Sequence, residues 1–195
     1  MKLIFCALFS GFLSHTSWAS CSYTAKPNET TLTFTGYKFT EKAGVSGTFK
    51  KITWDVPQKA HGDISSLWAG ASVSIDSYSI DAGNAARNKN ITKGLFKNLP
   101  NGRTIKASVQ DVKKDSLTLK ILLGSIETQI PMNIQRGKES VVLTGTLDLL
   151  KAKAHKAFQA LAKICGPLHK GKDGKRKTWP TVDLKVDIKY TKKCS

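Results

Sequence analysis

Gly44-Val45-Ser46-Gly47-Thr48-Phe49 opens the stretch that decides the fold. It runs on through Ala71-Ser72-Val73-Ser74-Ile75-Asp76 and Ser79-Ile80-Asp81 to Ala82-Gly83-Asn84-Ala85-Ala86-Arg87-Asn88-Lys89-Asn90-Ile91-Thr92-Lys93-Gly94-Leu95-Phe96. Val45, Gly47 and Phe49 alternate with Ser46 and Thr48, the period of a strand with one apolar face. Ile52 and Trp54 extend the pattern, and Ala71, Val73 and Ile75 oppose Ser72, Ser74 and Asp76. From Ala82 the alternation stops. Asn, Arg and Lys with few β-branched residues predict a helix, or a helical turn with a loop, over 82–96.

Outward from this stretch the two-residue period recurs. Leu32 and Phe34 share a face; Gly36 breaks the phase, and Tyr37 and Phe39 resume on the other parity. A glycine at such a break predicts a bulge or a barrel bend. Further runs are Ile105 to Val109, Leu117 to Leu123, Ile126 to Met132, Val141 to Leu147 and Val182 to Tyr190. Turn residues at Asp111–Asp115 and Gly124-Ser125 predict hairpins. Eight or nine short strands predict an all-β antiparallel barrel or sandwich, and closure into a barrel would remove exposed edges. A second helix is expected from Leu149 to Cys165, where Leu150, Ala154, Ala157, Phe158, Leu161 and Ile164 recur at helical spacing and Gly166-Pro167 stops the run. Lys170 to Lys177 reads as a solvated loop. Neither a repeat nor a domain boundary is visible.

The order of V-x-G-x-F, an alternating strand, S-I-D and an Asn/Arg segment ending in Phe96 resembles the YceI-like (polyisoprenoid-binding) family. The resemblance is strongest over residues 44–147. It implies an extended lipocalin-like antiparallel β-barrel of about eight strands, with one or two helices near its mouth. It implies an apolar cavity holding an isoprenoid or other long-chain amphiphile, such as a quinone or polyprenyl phosphate, and no enzyme activity. On that barrel the expected ligand contacts are Phe49, Val73, Ile75, Phe96, Val109, Leu119, Ile121 and Leu143, with Asn84 and Arg87, beside Asn88, at the mouth. Arg87 meets a polar headgroup, caps a helix end, or pairs with Asp76 or Asp81. After Thr144-Gly145-Thr146-Leu147 the chain departs from the family pattern, because a lysine-rich helix and loop precede the last strand.

The N-terminus reads as an export signal. Lys2 precedes an apolar run from Leu3 to Leu13, and Ser17-Trp18-Ala19 offers small residues for cleavage after Ala19. The expectation is a signal peptide over 1–19, one domain over 20–195 and a periplasmic location. Cys6 leaves with the signal, and an oxidising compartment favours one disulfide among Cys21, Cys165 and Cys194. Cys21–Cys194 forms if the first and last strands pair antiparallel; Cys165–Cys194 would tie the second helix to the last strand. Lipid anchoring at Cys21 is an alternative that also explains the odd count.

The formal net charge is +17, and residues 151–195 hold 13 Lys and Arg against 3 Asp and Glu. This suits peripheral contact with an anionic membrane, or a solvated face. Export and the excess of Lys over Arg argue against nucleic acid. His61, His155 and His169 lack zinc-site spacing, and neither a nucleophile elbow nor a phosphate-binding glycine loop is present. Trp54, Trp68 and Trp179 are read as core, barrel closure or lipid contacts. Neither cofactor nor metal is expected; a homodimer is left open. The residues alone favour apolar side chains that simply fill the core; the resemblance turns the reading to a periplasmic lipid carrier. Its alternative is a basic exported module that docks on an acidic surface with a filled core.

Overall fold

The computed structural model describes residues 20–57 and 59–194. The expected signal peptide lies outside the described residues. Twelve strand segments follow one another: β1 (Cys21–Ala25), β2 (Thr31–Lys38), β3 (Ala43–Phe49), β4 (Ile52–Asp55), β5 (Lys59–His61), β6 (Ser72–Asp76), β7 (Ile80–Asp81), β8 (Thr104–Val112), β9 (Ser116–Leu123), β10 (Ile126–Arg136), β11 (Ser140–Asp148) and β12 (Thr178–Cys194). Helix α1 (Ala85–Gly94) follows β7, and α2 (His155–Cys165) lies between β11 and β12.

All the pairings are antiparallel, in the order β4-β6-β8-β9-β10-β11-β12-β2-β3-β7. The two ends of this order are joined by the chain itself. β3 runs into β4 across Lys50-Lys51, and β6 into β7 across the 3-10 turn Ser77–Ser79. Lys50 N donates to Ser79 O at 2.9 Å and Asp76 N to Lys51 O at 3.1 Å, so hydrogen bonds bridge both interruptions. Counted as continuous staves, β2, β3/β4, β6/β7 and β8 to β12 form a curled sheet of the expected size. The excess in strand segments comes from these two breaks and from β1 and β5. The break between β6 and β7 is anchored by Ser77, which is fully buried with Oγ donating to Gly102 O at 2.6 Å.

One end is closed by a small sheet. β1 pairs on one side with the last five residues of β12 and on the other with β5. Cys21 and Cys194 stand opposite each other in that register and are disulfide-bonded. Of the pairings open in the sequence, the antiparallel ends decide for this one. Cys165 is a buried free thiol. Lipid anchoring at Cys21 is corrected here, since that sulfur is already in a disulfide.

Two further expectations change. β2 is continuous through Gly36; the irregularity sits on its partner, where β12 shifts register between Thr178 and Val182. The second helix starts at His155 rather than Leu149. Asp148 Oδ1 accepts from Leu150 N and Lys151 N, and Lys153 takes a left-handed φ of 62°. The apolar spacing of Leu150 and Ala154 therefore falls on a tight turn capped by Asp148. The first helix lies inside its expected segment, and both hairpin turns form, with Gly124 at φ 63°.

Candidate ligand-binding cavity

The inward faces of the staves do not fill the barrel. They enclose a cavity of about 540 Å³, within the usual range of ligand sites. Its closed end is walled by Leu67, Trp68 and Ala71, all buried, beside Trp54 and Val56. Its other end is covered by α1 and α2 and by the 3-10 turn Gly166–His169. Small residues make the room: Ala25, Gly36, Ala71 and Ala107 occupy lining positions where a larger side chain would enter the space. The interior thus departs from the filled core of the alternative reading, whose docking on an acidic surface it leaves untouched.

Phe34, Phe49 and Phe96 form an aromatic run along one wall, with ring centroids 5.5 Å and 6.0 Å apart in sequence. This run depends on Gly47. A Cβ there would lie 2.6 Å from the Phe34 ring and 2.8 Å from Asp81 O, so any side chain would push the aromatic wall off β3 or displace the lead-in to α1. The opposite wall, from β8 to β11, contributes Val109, Leu119, Ile121, Met132 and Leu143.

The helix end is built by side-chain capping. Asp81 Oδ1 accepts from Gly83 N at 3.1 Å, and Gly83 adopts a φ of 73°. Asn84 Oδ1 caps α1 by accepting from Arg87 N at 3.0 Å. Asn88 Oδ1 accepts from Ala82 N at 2.8 Å, and Arg87 Nη1 donates to Ala82 O at 2.6 Å. The Asn84-x-x-Arg87-Asn88 pattern thus works first as the device that starts α1 beside the cavity. Arg87 pairs with neither expected carboxylate: Asp76 holds Arg103 at 3.2 Å, and Asp81 holds Lys50 at 3.3 Å. The Gly83 amide and then Lys50 hold the Asp81 carboxyl below its ordinary value. The two helices meet where Gly94 faces Leu161; a Cβ on Gly94 would lie 2.8 Å from Leu161 Cα.

All ten residues expected from sequence line this one cavity: Phe49, Val73, Ile75, Asn84, Arg87, Phe96, Val109, Leu119, Ile121 and Leu143. The structure adds Phe34, Lys38, Trp54, Trp68, Cys165, Leu168, His169 and Trp179 to the lining. Phe34 and the tryptophans carried a signal in their alternation or size. Leu168 and His169 carried none, since they sit in a break between helix and loop. Trp68 is buried, and its Nε1 has no hydrogen-bond partner among the described residues.

Electrostatically the wall is one-sided. Among the described residues, Lys38 and Arg87 are its only formal charges, and none is Asp or Glu. His169 Nδ1 lies 2.8 Å from Thr178 Oγ1. Burial, and then the charge of Lys38, lower the His169 pKa below its ordinary value. Burial raises the Cys165 thiol, which makes it a poor nucleophile. Among the described residues, no group of three or more His, Cys, Asp or Glu could hold a metal ion. Nor is any helix there long and apolar enough to cross a membrane.

Comparison with known proteins bears on the same architecture. None of the curated proteins matches the sequence. A polyisoprenoid-binding domain from Saccharophagus degradans, implicated in plant cell wall breakdown, superposes with a TM-score of 0.58 at 14% identity, over 86% of this chain and 97% of that one. BcnA of Burkholderia cenocepacia gives 0.54 at 13% identity, over 86% and 99%. The YCEI protein of Campylobacter jejuni gives 0.52 at 13% identity, over 78% and 86%. At these identities the likeness is one of fold. The YceI-like domain family itself matches residues 23–190, from the middle of β1 to the ladder of β12 with β1, and takes in every element around the cavity. By that match, the chain belongs to the YceI-like family.

Proposed function

We propose that the protein is a periplasmic carrier that holds one long-chain isoprenoid, or a similar amphiphilic lipid, inside the barrel. The observation that carries this reading is the cavity: walled almost throughout by apolar side chains, and charged, among the described residues, only by Lys38 and Arg87. Each buried methylene contributes about 0.8 kcal/mol, so a chain of several isoprene units binds firmly through burial alone. The ten residues expected from sequence are its contacts. Phe49, Val73, Ile75, Phe96, Val109, Leu119, Ile121 and Leu143 hold the chain. Asn84 and Arg87 meet a polar or anionic head at the helix end, where charge-assisted hydrogen bonds fix its position. A quinone or a polyprenyl phosphate fits these terms.

Family membership supports binding in place of catalysis. The described disulfide suits an oxidising compartment, which supports export and removal of residues 1–19. The carrier picks up its cargo at a membrane by peripheral contact, with its basic surface toward anionic lipid.

Titration with a polyprenyl phosphate and with a quinone, followed by tryptophan fluorescence, tests the reading. Saturable binding near one molecule per chain is expected, and Val109→Asp or Leu119→Asp should abolish it. Binding that survives both substitutions would place the lipid elsewhere and overturn the assignment.

A further inference from the structure

The lip of the cavity carries a second chemistry. Three lining residues are exposed to solvent, Asn84, Ala86 and Leu168, and all three lie at the helix end. The cavity therefore opens there. Leu168 is 64% exposed, one of only two large apolar side chains with much exposure among the described residues.

Beside Leu168 the chain forms a latched, strongly basic rim. Residues 170–177 hold Lys170, Lys172, Lys175, Arg176 and Lys177 against one acid, Asp173. Thr40 Oγ1 donates to Asp173 at 2.8 Å, which ties this loop to the β2–β3 turn. Phe39 N donates to Lys177 O at 3.0 Å, Lys177 N to His169 O at 3.1 Å, and Trp179 Nε1 to Phe39 O at 2.7 Å. Aromatic faces hold Lys177 and two further cations: Lys42 Nζ lies 5.5 Å and Lys177 Nζ 4.8 Å from the Trp179 ring, and Lys38 Nζ 4.6 Å from Phe39.

Few acids stand among these cations: Glu41 and Asp173 lie on the two latched turns, both beside Gly171. None of the ion pairs among the described residues involves the rim. The opposite end differs, since Lys113 pairs with Asp111 and Arg136 with Asp115. We propose that the rim is a docking surface for an anionic lipid bilayer, with the cations on headgroup phosphates and Leu168 and the Trp179 edge at the interface. This rests on the carrier reading and names the partner of the same opening. Two features select a bilayer over an acidic protein. An exposed leucine flanked by tryptophan and lysine suits the interfacial region, where lysine stems bury and their charges stay wet. Docking there also joins the hydrocarbon to the cavity through Leu168, so that a lipid tail crosses without entering water.

The test is partition onto sedimenting vesicles of phosphatidylcholine doped with phosphatidylglycerol, against pure phosphatidylcholine, at low and high salt. The protein should bind only the anionic vesicles, and less in salt. Lys42→Glu with Lys177→Glu should lower the partition coefficient by at least about tenfold. Leu168→Asp should lower it too. Lys114→Glu with Lys138→Glu, the same change of charge at the far end, should leave most of the binding intact. Equal loss in both double variants would reduce the effect to net charge and overturn the proposal. Absence of wild-type binding to anionic vesicles would overturn it in favour of an acidic protein partner. Native mass spectrometry of the rim variant separates the two readings: cargo retained with docking lost supports both, whereas a rim-specific vesicle effect in a protein that takes up no lipid sinks the carrier alone.

Discussion

The two ends of the barrel are closed by different physics. At the disulfide end, β1 joins β12 and β5 through backbone ladders, Cys21–Cys194 is a covalent tie, and Leu67 and Trp68 are packed to near-zero exposure. At the helix end, α1 and α2 lean on each other through Gly94 and Leu161, and side-chain caps such as Asn84 and Asp148 do the work of ladders. A closure made of ladders and a covalent bond opens only with the fold; one made of helix packing and caps opens at lower cost. For the proposed carrier the difference makes the helix end the entrance, in keeping with the exposed lip at Leu168.

Substitutions can break this contrast. Trp68→Ala should cost most, about 3–5 kcal/mol, because a large buried ring leaves a void at the closed end. Urea denaturation reads it. Trp68→Phe should cost much less, since the indole N–H has no partner to lose among the described residues. Removing the disulfide with Cys21→Ser and Cys194→Ser should cost about 2–5 kcal/mol, given its sequence separation of 173. Lipid titration of the folded variant should be unchanged if the ligand enters at the helix end, and weakened if the closed end takes part.

Gly94→Ala should cost about 1–3 kcal/mol by forcing the helices apart. Its informative readout is faster lipid release at constant barrel circular dichroism. Unchanged release would mean that the helices do not gate the opening. The smallest effect concerns pH. The folded pKa of His169 lies below its ordinary 6.5, so between the two values the unfolded chain holds a proton that the folded chain does not. Stability therefore falls as pH drops below about 6.5. His169→Asn should flatten that part of the stability–pH curve; an unaltered slope would assign it to other groups.

Much of the barrel was legible because its strands keep one apolar and one wet face. The alternation of Val73 and Ile75, or of Leu119 and Ile121, says which way each side chain points, and every inward residue chosen that way reached the cavity wall. The start of α2 was not legible. Leu150 and Ala154 satisfy a helical period, and only the capping geometry of Asp148 shows that the chain is turning instead. The disulfide partner depended on the register of two chain ends 173 residues apart, which local patterning does not encode. Whether the interior is empty depends on the summed volumes around the ring. The small residues Gly36, Ala71 and Ala107 matter only once the staves are placed side by side. The lip was hidden because Leu168 follows a Gly-Pro break and reads as loop.

The most direct measurement of the central claim is native mass spectrometry of the protein purified from a periplasmic extract, followed by organic extraction and identification of the bound molecule. The account predicts one long-chain lipid per chain, lost on Leu119→Asp. A mass equal to the bare chain, persisting after incubation with quinones and polyprenyl phosphates, would contradict it.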